Sequence, residues 1–295
     1  MFLRRVCSAL IMSATAIWAE PETRPASDPP LIKPENAGSE AELDAIDRVL
    51  ELCAALRIDE ITQVLQSEGQ GYGAELDRDM LNGRGGAYWA ALVDDIYGAE
   101  RMADRVSMAL LAEMTPEQIN KSLAFLRSDA GRTIVSLELS ARIALRDPDL
   151  EDAARGHYAN VRDGGDRRLR MIDSYVEANN LVEQNVAGAM SFSYFLYRGM
   201  VDGGALEMDE DSILAEIRYD EPETRLETET WLYAFLLMAY RPLSDQDLEA
   251  NLRFSLSDAG QALNLALFKG FEMAYRDISY ALGMGLAGAM TSRDL

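Results

Sequence analysis

Two stretches of this chain repeat one another so closely that they constrain its fold more than any other feature. Phe125-Leu126-Arg127-Ser128-Asp129-Ala130-Gly131 and Phe254-Ser255-Leu256-Ser257-Asp258-Ala259-Gly260 share their phenylalanine and the whole Ser-Asp-Ala-Gly block at a constant offset of 129. Upstream at the same offset Thr115 falls on Ser244, Ile119 on Leu248 and Leu123 on Leu252, so the helical phase is repeated along with the letters. After one inserted residue, Ala144-Leu145-Arg146-Asp147 corresponds to Ala274-Tyr275-Arg276-Asp277. A tandem duplication of one helical unit is the expectation.

From residue 39 onward apolar residues recur at helical spacing, and no stretch sustains the period-two alternation of a half-buried strand. The fold class is therefore all-α, a helical bundle of two related helix-turn-helix modules over 39–147 and 172–290, joined by a charged segment at 148–171 and followed by a tail at 291–295. Ser39 with Glu42 reads as a capping box, and Leu43, Ile46, Leu50 and Cys53 as the buried stripe of the first helix. A second helix is expected from near Asp59, with Ile58, Ile61 and Leu65 inward. Asn82 to Gly86 breaks the pattern, after which Tyr88 to Met114 reads as one long helix.

Thr115 should cap the next helix, with Pro116 where a missing N–H costs nothing, and Asp147-Pro148-Asp149 should stop the one after. The middle predicts a charged helix over Arg170 to Glu183 and the most buried helix over the uncharged run Val186 to Tyr197. Gly199, Gly203 and Gly204 mark a loop, and Glu207 to Asp211 cap a helix starting near Ser212, beyond which Glu221 to Glu229 reads as a solvated face. Ser244 opens a helix as Thr115 does. Gly283, Gly285 and Gly288 in the apolar run Ile278 to Met290 predict close helix approach, in the core or between copies.

The balance of 28 Lys+Arg against 50 Asp+Glu gives 295 residues a formal charge of −22. Nucleic acid and anionic bilayers both select basic surfaces through counterion release, so neither is an expected partner. The tightest basic cluster, Arg162, Arg167, Arg168 and Arg170, is diluted by Asp163 and Asp166. Met1 to Ala19 reads as a secretory signal peptide, with Arg4 and Arg5 before the apolar Val6 to Ile17 and cleavage between Ala19 and Glu20. A periplasmic location follows as an expectation. No later stretch reaches the roughly 18 uncharged apolar residues of a membrane span. The proline-bearing stretch 20–38 reads as a flexible arm. Cleavage would remove Cys7 and two arginines, leaving Cys53 as an inert core thiol without a disulfide partner and taking the charge from −22 to −24.

Each residue of the repeated corner has a structural role. The serine hydroxyl can cap the second helix, Asp129 and Asp258 suit the positive first turn, and Gly131 and Gly260 allow close packing. At the Phe125 and Phe254 segments the chain resembles the domain of unknown function 2059 family, exported helical proteins of Gram-negative bacteria whose core is a helical hairpin with an aromatic followed by a Ser-x-x-Gly turn. Where that family often has a second aromatic and a proline, this chain has Leu126 and Ser255, Asp129 and Asp258. The resemblance implies a periplasmic helical protein and carries over no catalytic residue.

The remaining chemistry is sparse. His157 is the sole histidine and lies among charged residues, with no nucleophile motif to support a triad and no second soft ligand for zinc. Asp77 to Gly83 begins like a calcium loop, but Leu81 takes a ligand position and the glycine arrives one residue late. No cofactor or metal is expected. The reading is an exported, non-catalytic protein with a binding or interaction role in the cell envelope, partnered by another envelope protein, by itself or by a small ligand. Two alternatives stay open: an envelope hydrolase working with carboxylates, and a self-associating structural protein.

Overall fold

The structure, a computed structural model, describes residues 40–291, and the side chains from residue 43. The stretch read as a signal peptide with Ala19 and Glu20, the stretch 20–38 read as an arm, the expected Ser39 capping box and the end of the tail lie outside the described residues. Among those described, the chain is helical throughout, with no strand. Its helices are α1 (Glu40–Leu56), α2 (Ile58–Met80), α3 (Gly86–Ile96), α4 (Ala99–Glu113), α5 (Pro116–Leu126), α6 (Asp129–Ala144), α7 (Pro148–Val161), α8 (Arg167–Ala178), α9 (Leu181–Asp202), α10 (Glu210–Tyr240), α11 (Asp245–Ser255) and α12 (Asp258–Thr291). None is long and apolar enough to cross a membrane.

Several boundaries follow their local chemistry. Thr115 accepts from the Gln118 N–H while the Gln118 side chain accepts from the Thr115 N–H, a full capping box with Pro116 in the first turn. Ser244 caps α11 and Asp209 caps α10 through the Ser212 N–H. Asp147 ends α6 and also caps α7, so the 148–171 stretch is itself mostly helix.

Four expectations are corrected. Tyr88 to Met114 is not one helix: α3 ends where buried Tyr97 lays its ring against Gly69 of α2, so close that a Cβ there would come within 2.2 Å of the ring. Gly98 then turns the chain into α4. The charged helix breaks at Asn179-Asn180, where Asn180 adopts φ 49°. Gly199 is not in a loop but inside α9, and a Cβ on it would meet the Tyr280 carbonyl oxygen at 2.3 Å. On α1, Leu43, Ile46 and Leu50 face outward at 55%, 43% and 55% exposure, whereas Val49 and Leu52 are buried. Two apolar rows lie side by side on that helix, and docking against α4 and α5 selects the second.

The spine is α12. It runs alongside α9 in parallel, with Phe192 against Tyr275, Gly199 against Gly283 and Gly203 against Ala287. Any Cβ at Gly199 or Gly283 would strike the opposite backbone, so this crossing depends on both glycines. The glycine-bearing C-terminal run is thus a core contact at Gly283, while Gly288 faces open space. On another side α4 crosses α12 where Gly270 sits against the Val106 Cα. One apolar cluster gathers α1 to α5 around α9 and α12; the other gathers α6 to α8, the C-terminal part of α10 and α11. Both draw on residues from each side of the 148–171 segment, and Phe125 and Phe268 touch both clusters.

Candidate functional site

The repeated residues are brought together. Phe125 and Phe254 stack face to face with ring centroids 4.1 Å apart and planes 9° from parallel. α5 packs on α12 and α11 packs on α6, so each corner's first helix lies against the other corner's second helix. The contact is crosswise, and in it Phe125 meets its own counterpart in the repeated letters. Ser128 and Ser257 cap their helices through the Gly131 and Gly260 N–H groups and donate back to the Phe125 and Phe254 carbonyls. Asp129 pairs with Arg132, and Asp258 accepts from Gln118 across the junction. All eight residues serve the turn and its contact.

The described surface has a groove of about 520 Å³ beyond the Gly270 crossing, within the range typical of small-ligand sites. Its apolar lining is Ile96, Met102 and Met108 on one wall and Ala274, Ile278 and Ala281 on the other. Asp95, Arg101, Asp104, Arg105 and Asp277 form its charged rim. Arg105 bonds Asp277 at 2.7 Å, tying α4 to α12, and Arg101 reaches Asp95 at 3.4 Å over Gly98. The walls therefore come from both halves of the chain. Sequence reading does not single these residues out. Asp277 carried the nearest signal: its repeat counterpart Asp147 caps a helix, whereas Asp277 lies inside one.

Three partnered ionisable groups lie away from the groove, buried or half-buried. Arg142 forms a two-pronged bond to Glu68 at 3.1 and 2.7 Å and lies over the Trp231 ring. Arg168 donates to the Tyr240 and Leu243 carbonyls, closing the C-terminus of α10. The Glu138 side chain is half-buried along its length, but its carboxylate is desolvated and accepts from the Tyr240 hydroxyl at 2.5 Å. Burial raises its pKa to about 7, against the smaller opposing effect of the Tyr240 bond. Tyr240 also accepts from Asn251 of α11, and the Tyr175 ring packs edge-on against it. Sequence reading does not single out Glu138, although it interrupts the inward row Ile134, Ala141 and Leu145.

Cys53 is half-buried against the first core, and desolvation pushes its thiol up to about 11. His157 is exposed on α7. Asp77 spends one carboxylate oxygen on the Gly85 N–H at 2.7 Å, which makes it a turn residue. Among the described residues no group of three or more His, Cys, Asp and Glu is placed to hold a metal ion.

Compared with known proteins, the chain matches no family model, and neither the curated proteins nor the solved structures include one similar to it.

Proposed function

We propose that this chain is an exported, non-catalytic binding protein of the cell envelope that takes its ligand in the groove between its two halves. The observation that carries this reading is the groove itself, an apolar cleft between α4 and α12 whose rim the Arg105–Asp277 bond bridges. A pocket with an apolar floor and a few fixed charges suits retention and orientation of a ligand. The desolvated Glu138, the group best suited to acid–base work, is engaged with Tyr240 and does not line the groove. Export, a periplasmic location, origin by tandem duplication and kinship with the domain of unknown function 2059 family belong to the same proposal. They rest on the signal-like N-terminus and the doubled corner.

The test is photo-crosslinking in living cells from position 108 on the groove rim, compared with the same chain carrying Ala281→Trp to fill the cleft. A reproducible adduct that disappears when the groove is filled supports the reading. Adducts indifferent to Ala281→Trp would sink it. So would hydrolysis of envelope glycan by the purified protein that a single Glu→Gln change abolishes.

A further inference from the structure

We propose that the outer face of the first half of α10 is a docking surface for a cationic amphipathic helix of a partner protein. This segment is covered on one side only: Ile213, Ile217 and Thr228 are buried, while the opposite face carries Ala215, Tyr219, Pro222 and Leu226 in one row. Their spacing of four, three and four residues makes the row a continuous ridge. Tyr219 is 82% exposed and Leu226 62%, so the two largest apolar side chains on this face stand in solvent one turn either side of Pro222. A solitary exposed apolar residue needs no explanation, whereas an aligned pair on a helix otherwise dominated by charge does.

The neighbouring row supplies the complementarity. Glu216, Asp220 and Glu223 each follow one residue behind Ala215, Tyr219 and Pro222, so a line of carboxylates runs beside the apolar ridge for two turns. An incoming helix with its own apolar stripe would cover Tyr219 and Leu226 and set lysines or arginines of its flank against these acids. The flank opposite the acids carries Arg218 and Arg225, but a second copy of this chain brings its own formal charge of −22, and that net repulsion opposes self-pairing. An anionic bilayer is disfavoured for the same reason. The face is separate from the groove and does not depend on what the groove holds.

The probe is a labelled amphipathic helical peptide of leucine and lysine, titrated by fluorescence anisotropy against the purified chain, with a leucine–glutamate peptide as control. Binding of the lysine peptide alone is expected. Tyr219→Ala with Leu226→Ala should weaken it about tenfold or more, since exposed anchors supply the contact area. Glu216→Gln with Glu223→Gln should weaken it and flatten its salt dependence. Glu100→Gln with Glu272→Gln, which removes two exposed acids on other helices, should leave it unchanged. Three results would overturn the proposal. The first is equal loss in both charge variants with none on removing Tyr219 and Leu226, which means diffuse attraction. The second is self-association that Tyr219→Ala abolishes, and the third is Tyr219-dependent binding to anionic vesicles.

Discussion

The two corners, at Ser128 and Ser257, are built with the same bonds at the same lengths. Each serine donates to its phenylalanine carbonyl at 2.6 Å and accepts from its glycine N–H at 3.1 Å. What they launch is different. α6 runs from Asp129 to Ala144 and carries Glu138 and Arg142 into the second apolar cluster, whereas α12 runs on to Thr291 as the spine of the first. At the offset of the repeat, Glu138 falls on buried Leu267. The shared motif therefore specifies a turn, while the residues behind it decide whether the exiting helix is an apolar strut or a carrier of buried charge.

The largest expected effect probes that difference. Raising the Glu138 pKa from 4.5 to about 7 means that the fold favours the protonated carboxyl. The associated stability is fully present below about pH 4.5 and is lost as pH rises through about 7, and it amounts to on the order of 3 kcal/mol. Glu138→Gln keeps an acceptor for Tyr240 and removes the titration. Urea melts at pH 5 and pH 8 should therefore show the native chain losing stability with rising pH more steeply than the variant. Equal slopes would show that α6 carries no ionisation penalty at Glu138.

A smaller effect probes the likeness. An alanine Cβ at Gly131 would lie 2.2 Å from the Phe125 carbonyl oxygen, and one at Gly260 would lie 2.1 Å from that of Phe254. The obstacle in each case is backbone of the preceding helix, which cannot rotate aside. Gly131→Ala and Gly260→Ala should each cost about 2 kcal/mol, close to one another, in chemical denaturation. If one corner tolerates its alanine and the other does not, the equivalence of the two turns is lost.

These contrasts also show what the sequence could reveal. The caps at Thr115, Ser128, Ser244 and Ser257 were legible because a cap is a local bond between residues three apart. The doubled corner was legible because its letters recur. The break at Tyr97 and the outward turn of Leu43 were not, since each depends on which neighbour a helix meets: Gly69 decides the first and the packing of α1 decides the second. The groove was hidden for the same reason. Its rim joins Arg105 to a residue 172 positions away, and nothing local marks either as a partner. Glu138 went unmarked, since one carboxylate among 50 acidic residues stands out only once Tyr240 is placed against it.

The smallest effect addresses the contact between the corners themselves. Phe125 and Phe254 are each only half-buried, so deleting either ring removes modest apolar area and leaves room for the surroundings to relax. Their mutual stacking, however, is a term that exists only while both rings are present. A double-mutant cycle over Phe125→Ala, Phe254→Ala and the pair isolates it, because the separate packing losses cancel in the comparison. A coupling of about 1 kcal/mol is expected for an aromatic pair in this geometry. Gln118 and Asp258, which also bridge the two corners, stay unchanged in all four chains, so a coupling of zero could not be blamed on them. Zero coupling would mean that the corners are neighbours by virtue of α5 lying on α12, and that the ring contact describes their positions without contributing to their stability.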